Sequence, residues 1–204
     1  VSYLQFNKLE TQELFMLENW EAFYTSINFN KINEKYKILS SIKFGNKKHH
    51  LNFLLNNVPF PDSFPVAFDF ITYIPLSFRK YMNRGFNQSL VIAKALSRYY
   101  GVPIISIFRK TEGISQSQKS RKERVQSLFE PSFRLRKIKE DLQGKTLLLV
   151  DDIITTGATL SSCAHLLKEE YKIRMVGYSL FYTSRKKSYK DLLEKAVMAK
   201  EELE

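Results

Sequence analysis

The sequence predicts an α/β protein: an open, mainly parallel, twisted sheet flanked by helices. Three observations carry that expectation. Leu147–Val150 is a continuous apolar run, as in a strand buried on both faces of a parallel sheet. Upstream, the β-rich Val66–Ile74, a helical pattern over Asn87–Tyr100 and a strand over Val102–Phe108 are spaced as a strand–helix–strand unit. Downstream, a helix over Thr159–Tyr171 and a strand over Arg174–Thr183 repeat the alternation.

Composition agrees. The chain has 204 residues, 44% of them hydrophobic and 14% aromatic, enough for a packed core and too much for disorder. Lys+Arg 32 against Asp+Glu 21 gives a net charge of +11, which favours anionic partners or a lysine-solvated surface. A single cysteine, Cys163, excludes an internal disulfide and a cysteine zinc cage. It falls in the helix after the apolar run and reads as core. No apolar stretch reaches the roughly 18 residues that cross a bilayer. A cytoplasmic protein, at most peripheral to the inner membrane, is expected. The chain begins at Val1, so a native start lost upstream is allowed for.

Residues 1–58 are expected to form a mixed, helical segment packed on the core. A short strand and a helix around Thr11–Trp20 open it, and a strand over Glu21–Ile27 follows. Ile32, Tyr36, Leu39 and Ile42 mark a helix face over Asn30–Ile42, ended by Gly45-Asn46. Lys47–Asn57 reads as a second helix. Its adjacent His49 and His50 diverge by about 100° and make poor joint metal ligands. The proline-marked Pro59–Pro65 opens the core, residues 59–183. After Val66–Ile74, Pro75 stops the strand and Leu76–Asn83 is expected as a loop. Gly101 caps the Asn87–Tyr100 helix. Arg109–Arg124 holds six cations with serines between and few apolar anchors, so it is expected to be mobile. Phe129–Phe133 returns to structure, and Gly144 turns the chain into the central strand. Residues 184–204 read as a charged amphipathic extension.

The chemistry concentrates at Leu147–Leu160, LLLVDDIITTGATL. Gly157 and its small neighbours let a backbone approach a bulky anion, and the first amides of the next helix carry partial positive charge. Asp151 and Asp152 cannot bind that anion. Carboxylates only accept hydrogen bonds, so they require sugar hydroxyls or a cation. A phosphate nest beside paired carboxylates reads as a sugar-phosphate site. No Lys follows the glycine, so it is not a Walker A loop.

This stretch resembles the 5-phosphoribosyl-1-pyrophosphate (PRPP) signature of type I phosphoribosyltransferases. The resemblance implies that family's fold, with Asp151 and Asp152 meeting the ribose hydroxyls. Ile154, Thr155, Thr156, Gly157, Ala158 and Thr159 then surround the 5-phosphate. A pyrophosphate loop would use Leu76, Ser77, Arg79 and Lys80, at the carboxyl ends of the strands. Candidate catalytic residues are Asp151, Asp152, Lys119 and Arg121. Mg²⁺ would be held mostly by PRPP and water, without a dedicated protein cage. Arg84, Arg109, Lys119, Arg121 and Arg124 are candidate lid residues or nucleic-acid contacts; solvated surface charges are the alternative.

Tyr73-Ile74-Pro75-Leu76, Arg84-Gly85-Phe86-Asn87-Gln88 and Arg109-Lys110-Thr111 with Gln118, Arg121 and Phe129 resemble the ComF family of ComFC-like competence proteins. Ile42-Lys43-Phe44-Gly45 is similar to that family's Leu-Lys-Tyr-x-Gly segment. This resemblance implies PRPP and Mg²⁺ binding and a role in uptake of transforming DNA. Single-stranded DNA and proteins of the competence machinery are the implied partners. Two features depart from the pattern. The usual four-cysteine zinc module is missing, so no zinc site is expected in this chain. The Asn that relatives carry three residues after the Arg121 position is Arg124. The expectation is a phosphoribosyltransferase-like protein with an unidentified acceptor. The alternatives are a nucleic-acid-binding module using PRPP as effector and, ranked last, a base-salvage enzyme.

Overall fold

A computed structural model describes residues 4–6, 20–28, 48–58, 60–62, 64, 66–111, 133–155 and 157–183. The helices expected around Thr11–Trp20, over Asn30–Ile42 and over residues 184–204 lie outside the described residues, Trp20 apart. So do Lys119, Arg121, Arg124, Phe129, Thr156 and the Ile42–Gly45 segment.

The elements in chain order are β1 (Leu4–Phe6), β2 (Trp20–Asn28), α1 (Lys48–Asn57), β3 (Phe70–Tyr73), α2 (Phe78–Arg84) and α3 (Gln88–Tyr100). After these come β4 (Phe108–Lys110), β5 (Phe133–Leu135), β6 (Thr146–Ile154), α4 (Ala158–Glu170) and β7 (Arg174–Tyr182). Five strands form one sheet in the order β1-β2-β7-β6-β3. β2, β7, β6 and β3 run parallel, and β1 is an antiparallel edge. The open, mainly parallel sheet read from the sequence is the observed one.

β6 is central because both its faces are apolar. Leu148 and Val150 face α3 and α1, in a cluster with Ile92, Leu96, Leu51 and Val176. Leu147 and Leu149 face α4, with Leu160, Cys163, Leu167 and Met175. The alternation follows from the two-residue period of a strand. Each of these side chains is fully buried, worth about 1.5–3 kcal/mol apiece in transfer free energy. Helices therefore cover both faces of the sheet.

On β2 the register shifts between Trp20 and Ala22. That bulge turns Trp20 onto the same face as Phe23, while Ala22 and Tyr24 face the opposite cluster. Gly177 on β7 leaves room for those two rings: a Cβ there would overlap the Phe23 ring and crowd Trp20. The Trp20–Phe23–Tyr24 cluster is core packing split over two faces.

Three expectations are corrected. First, Leu76–Asn83 is not a loop, because residues 78–84 form α2. Ser77 caps it by accepting from the Lys80 amide at 3.4 Å, and Gly85 ends it at φ 71°. Its apolar residues Phe78, Tyr81 and Met82 are exposed, so no buried stripe advertises the helix. Second, Val102–Phe108 is not a full strand. It is an extended edge beside β3, joined by one parallel bridge, Ile71 to Ile104. Ile71 donates to the Pro103 carbonyl and Ile105 donates to that of Ile71, each at 2.9 Å. Pro103 has no amide to donate, which limits the ladder. Third, Arg109 and Lys110 do not belong to an unanchored stretch. They lie in β4, paired antiparallel with β5.

Candidate functional site

The connections set where a crevice opens. From β3 the chain crosses through α3 to the 104 edge. From β6 it crosses through α4 to β7, in the opposite direction and on the opposite face. The carboxyl ends of β3 and β6 therefore flank a topological switch point, the place where open α/β sheets bind ligands.

The two strands end at different heights. β3 pairs with β6 up to Tyr73 and Val150, and Ile74 donates once more to the Val150 carbonyl at 2.9 Å. β6 continues beside β7 to Ile154. Asp151 and Asp152 thus stand past the end of β3, half-buried at the crevice floor.

The gap beside them is closed by the amino end of α3. Asn87 caps that helix, its Oδ1 accepting from the amides of Ser89 at 3.0 Å and Leu90 at 3.4 Å. Its Nδ2 donates to the Ile74 carbonyl at 3.0 Å, which ties the helix to the end of β3. Ser89 Oγ then donates to Asp151 Oδ1 at 3.1 Å, and the Asp152 amide donates to the same oxygen at 2.8 Å. Burial, and next the neighbouring Asp152 carboxylate, push Asp151 up from 3.8 to about 8. The two hydrogen bonds oppose the shift without cancelling it.

Next to the carboxylates is a small pocket of about 40 Å³, lined by Asp151, Ile153–Thr155 and Gly157–Leu160. A water needs about 10–15 Å³ of such space, so the pocket fits a group of a few heavy atoms, on the scale of one phosphate. Gly157 sits at φ 76° at the start of α4 and offers no side-chain cap. The left-handed turn suits glycine, and the helix amides face the pocket end.

Across the crevice lies a cleft of about 430 Å³ between the end of β3, α2, α3 and β4. Leu76 lines it, together with Arg109, Lys110 and Arg136. Lys110 is half-buried, with its ammonium 4.6 Å from the centre of the Phe133 ring. Burial, and then the Lys80 charge, lower its pKa, while Cys163 and Asp151 pull it the other way. Lys80 is therefore an electrostatic neighbour of Lys110, which is also within reach of Asp151. Arg79 and Lys80 are exposed on α2. Arg84 donates to Gln88 Oε1 at 3.3 Å, beside the start of α3. Cys163 is core: burial pushes its thiol well up, and Asp151 adds to that.

The structure thus brings together Asp151, Ile154, Thr155, Gly157, Ala158 and Thr159 on one lining, with Asp152 next to Asp151 in sequence, and Leu76 and Arg109 on the other. It does not bring Ser77, Arg79, Lys80 or Arg84 to either lining. Sequence reasoning missed Ser89, Lys110 and Arg136 as site residues. Lys110 carried a signal, since it stands in the Arg109-Lys110-Thr111 block. Ser89 and Arg136 carried none, because their roles depend on distant residues. Among the described residues no group of three or more His, Cys, Asp or Glu is gathered as for a metal ion. No helix there is long and apolar enough to cross a membrane.

These features define an α/β protein with a phosphate-sized pocket, paired carboxylates and a cationic cleft at its switch point. The family model described as "Phosphoribosyl transferase domain" matches residues 87–201, and the chain belongs to that family. Its curated relatives are ComFC-like. Competence protein F of Haemophilus influenzae is 33% identical over 98 residues, covering 47% of this chain and 42% of that protein. Competence protein ComFC of Streptococcus pneumoniae is 39% identical over 47% of this chain and 40% of its own length. DNA utilization protein YhgH of Escherichia coli is 35% identical over 48% of this chain and 43% of its length. The chain's matched part thus spans about two fifths of these relatives. Among solved structures, an adenine phosphoribosyltransferase overlaps 85% of this chain and 89% of its own at 19% identity and TM-score 0.37. That of Leishmania tarentolae overlaps 78% of this chain and 91% of its own at 12% identity and TM-score 0.39. The fold assignment rests on the sheet order and the family match.

Proposed function

We propose that the protein binds PRPP with Mg²⁺ and transfers its phosphoribosyl group to an acceptor, within the handling of DNA during transformation. The observation that carries this reading is Asp151, next to Asp152, lining a phosphate-sized pocket and acting electrostatically on Lys110 of a cleft also lined by Arg109 and Arg136. PRPP has the matching sequence of parts: a phosphate, two ribose hydroxyls, then pyrophosphate. In the reading, the Thr155–Thr159 turn holds the 5-phosphate and the carboxylates accept from the ribose hydroxyls. In the same reading Lys110, Arg109 and Arg136 face the pyrophosphate, with Leu76 in the same lining and Lys80 adding its charge beside Lys110. The bond from ribose C1 to the pyrophosphate oxygen breaks, its electron pair leaves with pyrophosphate, and a bond from C1 to the acceptor forms. Positive charge at the ring lies nearest the carboxylates, and developing negative charge nearest the cations.

The donor set fits Mg²⁺. Asp151, held up by burial and a like charge, gains from any cation placed beside it. Mg²⁺ would be held mostly by PRPP oxygens and water, with Asp151 and Asp152 as the neighbouring carboxylates and no dedicated protein cage. When bound, it neutralises pyrophosphate charge. Lys119 and Arg121 stay in the proposal as lid cations on the family resemblance alone.

Ligand-induced stabilisation tests binding. PRPP with Mg²⁺ at 100 times its Kd adds about 2.7 kcal/mol of stability. No shift with PRPP would sink the reading. Pyrophosphate release, measured with and without single-stranded DNA, tests transfer. Release lost in an Asp151→Ala, Asp152→Ala double variant supports an enzyme; binding without release in the parent leaves PRPP as an effector.

A further inference from the structure

The segment Arg84–Gln88 stands out in the sequence, and most of it has a structural role. Arg84 closes α2, Gly85 ends that helix in a left-handed turn, and Phe86 is buried in the core. Asn87 and its neighbour Ser89 do more than start α3. A helix cap needs only an acceptor at position 87, and Ser, Thr or Asp would serve as well. Asn87 also donates, and its Nδ2 holds the Ile74 carbonyl at the end of β3 at 3.0 Å. Position 89 needs no polar side chain for the helix. A hydroxyl there is 3% exposed, and a buried hydroxyl without a partner costs free energy. Among the described residues Ser89 Oγ has one partner, Asp151 Oδ1 at 3.1 Å. The Ser89 amide is in turn held by Asn87 Oδ1 at 3.0 Å. A run of hydrogen bonds therefore leads from the carboxyl end of β3, through Asn87 and Ser89, to the carboxylate on β6.

We propose that Ser89 is a positioning residue of the phosphoribosyl site: it fixes the Asp151 carboxylate so that Oδ2 is the oxygen offered to a ribose hydroxyl. The inference rests on the phosphoribosyl reading above and assigns within it what orients the ribose acceptor group. Oδ1 already accepts from Ser89 Oγ and from the Asp152 amide at 2.8 Å. A carboxylate oxygen has two lone pairs, so both on Oδ1 are engaged. The Asp152 amide lies on the same strand as Asp151, one residue on, and relates the carboxylate only to its own backbone. Ser89 comes from α3, 62 positions away, and sets the carboxylate relative to that helix and the end of β3. Asp151 also lines the phosphate-sized pocket, so the orientation acts on a sugar whose phosphate is seated there. A carboxylate held in place before the ligand arrives loses less side-chain freedom on binding, which strengthens the contact. Ser89 acts through Asp151 and is given no contact with the reacting atoms.

NMR titration of the full chain without metal tests this, with two probes: ribose 5-phosphate, and inorganic phosphate, which fills the pocket but carries no hydroxyls of a sugar. Ser89→Ala should weaken ribose 5-phosphate about tenfold and leave inorganic phosphate unchanged. Ser89→Thr, which keeps the hydroxyl, should recover most of the loss. Side-chain couplings of Asp151, read with no ligand present, should report one χ1 rotamer in the parent and averaging in Ser89→Ala. Unchanged ribose 5-phosphate affinity in Ser89→Ala, with the parent binding, overturns the proposal and leaves the phosphoribosyl reading standing. Equal losses for both probes overturn it too, because they mark a damaged pocket rather than a turned carboxylate. So does a single Asp151 rotamer kept in Ser89→Ala. A parent that binds phosphate but no ribose 5-phosphate, with Asp151 held in the parent and released in the variant, sinks the phosphoribosyl reading while supporting Ser89 as the group that orients Asp151.

Discussion

Asp151→Asn removes an ionisable group from the site floor and changes little of its geometry. The amide oxygen can still accept from Ser89 Oγ and the Asp152 amide, as the carboxylate does. In the parent, burial and then Asp152 raise this carboxyl from 3.8 to about 8. Its folded pKa therefore lies above its unfolded one. Between about pH 4 and pH 8 the native state holds a proton that the unfolded state has lost, so stability falls as pH rises through that window. At about 1.4 kcal/mol per unit, the full shift bounds the cost at about 5–6 kcal/mol. Partial solvent contact and charge shared with Asp152 reduce it to about 2–3 kcal/mol. The Asn variant carries none of that cost. Urea or thermal melts of both proteins should coincide near pH 4. They should then diverge, with the variant more stable by about 2–3 kcal/mol, or about 5–10 °C in Tm, at pH 8 and above. A gap that stays constant from pH 5 to pH 9 would refute the reasoning. So would a variant that is less stable at pH 9. Melts with Mg²⁺ and PRPP should show the opposite ranking in ligand-induced shift, because the amide is the weaker acceptor.

Three more outcomes follow from named contacts. Lys110→Gln should cut the PRPP shift by more than half while leaving the shift from ribose 5-phosphate intact, since it faces the cleft and not the small pocket; equal losses for both ligands would count against that placement. Asn87→Ala removes the α3 cap and the tie to Ile74 together, costing about 2 kcal/mol by chemical denaturation; a loss below about 0.5 kcal/mol would mean water replaces both bonds. Gly177→Ala pushes a methyl into the Phe23 and Trp20 rings and should cost about 1–3 kcal/mol, visible as a lower urea midpoint and altered tryptophan fluorescence.

The sequence alone determined the layered α/β architecture and one half of the site. Both are local signals. The apolar run Leu147–Val150 is written into consecutive residues, and so is the Asp151–Thr159 motif that follows it. The order of the sheet, the short edge at Ile104 and the burial of Lys110 were not legible that way. α2 was hidden for a related reason: its apolar side chains face solvent, so its periodicity marks no core. Ser89 reaches Asp151 across 62 positions, and no spacing rule encodes such a contact. The same holds for Lys80 on α2 and Lys110 on β4, whose charges interact only once both elements are in place. A strand or a turn forms from its neighbours in sequence, whereas a perturbed carboxyl and a cationic cleft depend on which strands end side by side. That is why the strand and glycine turn of Leu147–Leu160 could be read from the sequence, while the environment of its carboxylates was decided by the tertiary structure.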